Sequence, residues 1–134
     1  PEDLSNHQRM TWFSPRGGGR LAWLLENGER SVLLQATESL QFEDPDVAIA
    51  ACLAGTGICP AAPFAVEAYV GDGQLVPVLP SWHFKPRSIH IVYPTRKHLS
   101  AKVRCFVDWS YELLRKNEAV HLTPLALAQR FLRP

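Results

Sequence analysis

Short apolar runs alternate with glycine- and proline-rich breaks along this chain, and the period of the runs changes partway. "PEDLSNH" reads as a short helical turn, because Pro1 suits a first turn whose N–H groups have no internal partner anyway. In "QRMTWFS" the residues Met10, Trp12 and Ser14 recur with the period of a strand. "PRGGGR" breaks that run. Glycine reaches positive φ without a Cβ penalty, so Gly17, Gly18 and Gly19 predict a hairpin connection into "LAWLL". "RLAWLLENGERSVLLQA" repeats the pattern as strand, turn at Asn27-Gly28, and strand. "LQFE" adds a further extended piece, so the first forty residues predict three or four short antiparallel strands.

From residue 43 the pattern turns helical. In "EDPDVAIAACLAGTGICP", Asp44 is the expected N-cap, Pro45 fits the first helical position, and Asp46 favours the positive end of the dipole. Val47 to Leu53 carries no charge, which predicts a helix buried on most sides, and Gly55 is placed to end it. "GIC" reads as a short buried strand. "PAAPFAVEAYVGDG" predicts a second short helix ended by Gly71, and "QLVPVLP" an extended edge, since Pro77 argues against a central strand. Ile89, Ile91 and Tyr93 alternate in "RSIHIVYP" as a strand. In "SAKVRCFVDWSYELLRK" the residues Val103, Phe106, Val107, Ser110 and Leu114 fall at helical spacing behind a Ser100 N-cap. Thr123-Pro124 opens either a last short helix whose leucines cover an apolar surface or a loose tail. Strands alternating with helices imply an α/β fold.

Composition narrows the chemistry. The chain has 134 residues, 46% hydrophobic and 20% charged, with a net charge of +1. That suffices for one domain with a core, and it sets up no field toward nucleic acid or membrane. No apolar run reaches membrane-spanning length, and no signal peptide is visible. The chain opens without Met, like the middle of something longer. Cys52, Cys59 and Cys105 are odd in number and lack CxxC spacing, so they read as free thiols of a reducing compartment. The five histidines are scattered and form no metal motif, and no metal site or cofactor is expected. Gly17, Gly18 and Gly19 lack the GK[ST] or GxGxxG context of a phosphate loop.

Five segments in order carry a resemblance: the acid before the small-residue helix, "LAGTGI" with a proline just after, "GQLVPVLP", "YP" with a basic loop, and "SAKVRCFVDW". Together they resemble the effector-binding domain of LysR-type transcriptional regulators over Pro1 to about Leu114. The resemblance implies part of a type 2 periplasmic-binding-protein-like effector domain. Residues 1–87 would be its second subdomain, 88–116 the strand and helix returning to the first, and 117–134 a C-terminal tail. It implies a bacterial cytoplasmic regulator with no catalysis. Such a regulator binds a small-molecule effector, such as a small organic acid, between two subdomains to control DNA binding and transcription. DNA would be bound only through a helix-turn-helix domain that this chain lacks. The opening half of the first subdomain is also missing, so the return strand and helix should be uncovered. Self-association, or a mobile C-terminal segment, is then expected.

By the same resemblance, the ligand-contacting positions are Phe42, Glu43 and Asp44 at the lip of the helix and Gly57, Ile58 and Cys59 on the strand after it. Helix N-termini attract anions, so backbone N–H groups near 42–44 are expected to donate, with Phe42 or Ile58 supplying apolar contact. Glu43, Asp44 and Asp46 oppose this with three acids, and capping plus solvated charge is the more usual account of such acids. Glu43 could instead meet a cationic or hydroxylated ligand. Cys59 could be a redox sensor only if exposed and low in pKa. An extracytoplasmic solute-binding protein of similar fold is the alternative. An enzyme is disfavoured, because no GxSxG, Cys/His or P-loop motif is present.

Overall fold

The computed structural model describes residues 1–14, 19–20, 22–34, 40–86, 88–93 and 100–131. A 3-10 turn at Glu2–Asn6 opens the chain, with Pro1 just ahead of its first residue rather than within it. Then come β1 (Thr11–Ser14), β2 (Gly19–Arg20), β3 (Trp23–Asn27), β4 (Arg30–Leu34) and β5 (Gln41–Phe42). The helices α1 (Pro45–Leu53) and α2 (Pro63–Gly71) follow, then β6 (His83–Phe84). The last elements are α3 (Ala101–Lys116), α4 (Glu118–His121) and α5 (Pro124–Phe131).

The strands divide between two three-stranded sheets, ordered β2-β1-β5 and β4-β3-β6. In the first, β1 pairs antiparallel with β2, Phe13 opposite Arg20, but parallel with β5, Thr11 opposite Gln41. The expected run of antiparallel strands is therefore broken at β5. A parallel neighbour cannot follow through a tight turn, and here it arrives after a second sheet has intervened. The hairpin partner of β1 is Gly19–Arg20, while the "LAWLL" run supplies β3 of the other sheet. Gly17 and Gly18 lie outside the described residues.

The β3–β4 hairpin forms as expected, with its turn one position later: Asn27 pairs with Arg30, and Gly28 and Glu29 are the loop. Gly28 takes φ +59, the left-handed value a two-residue hairpin needs at its first central position. Burial alternates along β3. Trp23 and Leu25 point into a cluster with Leu4 and Leu34, while Leu24 stands on the other face. Phe84 of β6 meets Trp23 edge-on at 5.5 Å. A second cluster joins Ile49 of α1, Val66 and Val70 of α2, and Leu127 of α5.

α1 starts at its Asp44 cap, and Gly55 follows it at φ +78. The expectation of burial on most sides is not met. Ala48 and Ile49 are buried, but Val47 is half-exposed because no described element covers that face. "GIC" contributes one parallel bridge, Ile58 to Arg9, in place of a full strand. "QLVPVLP" is irregular, with bends at Gln74, Leu75 and Leu79 and Leu79 at φ +52, and residues 88–93 carry no ladder, so neither is a strand among the described residues. Ile89 and Val92 are exposed, at 58% and 88%. The residues linking 88–93 to α3, with the expected basic loop, lie outside the described residues, as does Arg87.

α3 begins at Ser100, whose hydroxyl accepts from the Val103 N–H. It is strongly amphipathic, yet it buries no side chain, and Phe106, Trp109 and Leu113 are exposed. The last described residues are helical. α5 packs on α2 through Leu127, Phe131 lies against Gly71, and Arg130 pairs with Glu67 at 2.5 Å.

Candidate functional site at the carboxyl edge of the parallel strands

β5, β1 and the Ile58 segment run in one direction, so their carboxyl ends reach one edge. The Thr11 N–H donates to the Leu40 carbonyl on one side of the central chain. The Met10 N–H donates to the Ile58 carbonyl on the other, at 2.8 Å. α1 crosses from β5 to the Ile58 segment, which makes a strand–helix–strand unit around β1. In such sheets ligands gather outside the carboxyl ends, where helix N-termini open.

The structure places the six candidate residues in two groups at this edge. Phe42 ends β5 and is half-buried, and Glu43 and Asp44 follow it into solvent. Gly57, Ile58 and Cys59 are half-buried on the far side of β1. Two strand spacings, about 9–10 Å, separate the groups. A small molecule spans that distance.

Asp44 is used locally. Its carboxylate accepts from the Asp46 N–H at 2.8 Å, and Pro45 has no N–H to offer. The first turn of α1 therefore presents fewer donors to an anion than a bare helix end. Glu43, Asp44 and Asp46 remain exposed carboxylates at this mouth.

Gly57 fits because the chains approach closely. An ideal Cβ there would overlap the Gln8 carbonyl oxygen and sit 3.1 Å from its carbon. The Ile58 N–H donates to that same carbonyl at 2.9 Å. Cys52 donates its thiol to the Gly57 carbonyl at 3.1 Å. Burial pushes the neighbouring Cys59 thiol up to about 12, and the Cys52 sulfur beside it adds to the effect. Cys59 is thus held as a neutral thiol, the opposite of the low-pKa environment a redox sensor requires. Among the described residues no group of three His, Cys, Asp or Glu could hold a metal ion.

Gly57, Ile58 and Cys59 also line an apolar cavity of about 920 Å³, which Phe42, Glu43 and Asp44 do not reach. Trp23, Leu25, Phe84, Leu75, Val70 and Leu127 supply much of its wall. Sequence reasoning missed these residues as possible ligand contacts. In the sequence they look like core positions of separate elements, and no local signal shows that their faces stop short of one another.

Comparison with known proteins agrees with this architecture. Residues 1–115 match the family model for the LysR substrate binding domain. The chain is 52% identical over 128 residues to the HTH-type transcriptional repressor PA14_22550 of Pseudomonas aeruginosa, covering 96% of this chain and 40% of that protein. Among solved structures, the regulatory domain of AphB in Vibrio vulnificus is similar at a TM-score of 0.64 and 32% identity, over 83% of this chain and 54% of that one. Full-length AphB of Vibrio cholerae, a virulence activator, is similar at 0.68 and 30% identity, over 84% of this chain and 38% of that one. The chain thus spans about two-fifths of a relative's length and about half of a regulatory domain. The relatives are transcriptional regulators, which sets aside the solute-binding alternative. This chain belongs to the LysR substrate-binding domain family.

Proposed function

We propose that this chain is the effector-sensing part of a transcriptional regulator, and that it holds a small molecule at the carboxyl edge formed by Phe42–Asp44 and Gly57–Cys59. The observation that carries the reading is the strand–helix–strand unit that brings both groups to one edge, within a family match over residues 1–115. In this reading residues 1–87 form one wall of a cleft. Residues 88–116 return to a second wall built by chain outside this sequence. The tail that begins at residue 117 packs on the first wall through Leu127. The protein acts inside the cell by binding, not by catalysis, as a homo-oligomer that meets DNA through a separate domain. A small organic acid would need cations from the opposite wall, because Glu43, Asp44 and Asp46 line this one.

The test is thermal unfolding of the full-length protein against a panel of small acids, amino acids and amines, followed by DNA affinity with each hit. Stabilisation should grow with the logarithm of ligand concentration, reaching about 2.7 kcal/mol at a hundredfold excess over Kd. Glu43→Gln should shift preference from amines toward acids. A ligand that stabilises the protein yet leaves its DNA affinity unchanged would overturn the sensing role.

A further inference from the structure

The 920 Å³ cavity lies between the β4-β3-β6 sheet and helices α2 and α5, bridging the two hydrophobic clusters. The volume falls within the range of small-molecule sites. Its lining settles the chemistry. Among the described residues no Asp, Glu, Lys or Arg side chain contributes to the wall, and His83 stands exposed at the rim. An ionised molecule entering here would lose its hydration without gaining a counter-charge. Aromatic rings of Trp23, Trp82 and Phe84 offer flat apolar contact instead. The indole N–H of Trp23 has no hydrogen-bond partner among the described residues, but it is fully buried and does not face the cavity.

We infer that this cavity is a second binding site, for a neutral, largely apolar molecule. It shares only Gly57–Cys59 with the effector edge, where three carboxylates demand a polar ligand. α5 completes its wall through Leu127, beyond the 1–115 stretch of the family match. The C-terminal residues therefore shape a pocket that the matched domain alone leaves open.

The experiment titrates the full-length protein with N-phenyl-1-naphthylamine, an uncharged apolar fluorophore, and follows its emission. Saturable binding of one probe per chain is expected, displaced by 1-octanol but not by octanoate at pH 8. Val78→Trp, from an exposed lining position, should weaken binding at least tenfold while leaving the fold intact. Leu75→Trp, deeper in the wall, should do the same. Phe106→Ser on the exposed face of α3 should change nothing. The inference is overturned by absent or non-saturable binding, by indifference to both tryptophan variants, by equal displacement by octanoate, or by loss of binding with Phe106→Ser. None of these outcomes bears on the effector edge, which stands or falls with the DNA-affinity experiment.

Discussion

Gly57→Ala is the substitution that tests most directly how the candidate edge is built. Two costs combine at this position. Gly57 sits at φ +154, a backbone region that side chains with a Cβ avoid, at a cost of about 1–3 kcal/mol. The added methyl would also overlap the Gln8 carbonyl oxygen, which is backbone and cannot swing aside. Relief requires the 57–58 segment to move off β1. That weakens the bond from the Ile58 N–H to Gln8 and the bond from the Met10 N–H to Ile58, about 0.5–1.5 kcal/mol each. A total loss of about 2–6 kcal/mol follows, a large share of the roughly 5–15 kcal/mol that holds a domain folded. Gly55→Ala is the control. It has φ +78 but nothing within 4 Å of its missing Cβ, so it should cost only about 1–2 kcal/mol. Urea unfolding of both variants, followed by tryptophan emission, reads the difference. A loss for Gly57→Ala no larger than that for Gly55→Ala would refute the close approach of the two segments.

Further outcomes follow from the same structure. Asp44→Ala should lower stability by about 0.5–2 kcal/mol in urea titration, and Asp44→Asn should restore most of it, because an amide oxygen can still accept from the Asp46 N–H. Leu127→Ala, at 3% exposure against Val66 and Val70, should cost about 2–5 kcal/mol by thermal unfolding, whereas a loose tail would show no change. Iodoacetamide at pH 7 should label exposed Cys105 well before Cys59, as read by peptide mass. Burial disfavours the Cys59 thiolate, so its folded value lies above the ordinary 9.0, and stability should fall as pH climbs from 9 toward 12, less steeply in Cys59→Ala. The isolated chain should associate with rising concentration in sedimentation velocity, and Phe106→Glu with Trp109→Glu should weaken that association; a monodisperse wild-type monomer would sink the expectation.

The sequence by itself determined the local punctuation. Asp44 with Pro45, Ser100, and Gly55 bound their helices where expected, because capping and left-handed φ depend on residues within one turn. The alternation around Trp23 and Leu25 fixed a hairpin for the same local reason. Tertiary structure alone decided the rest. Whether β5 lies parallel or antiparallel to β1 depends on which edge is free when the chain returns, and no short window holds that information. "IHIVY" has a strand's period yet forms no strand here, since a ladder needs a partner edge and none is offered among the described residues. The six candidate residues were chosen by resemblance. Their convergence on one carboxyl edge comes from Met10 and Thr11 pairing to opposite sides of one strand. The cavity was illegible in the sequence, because a void is set by how closely separate faces meet, a distance that no residue encodes alone.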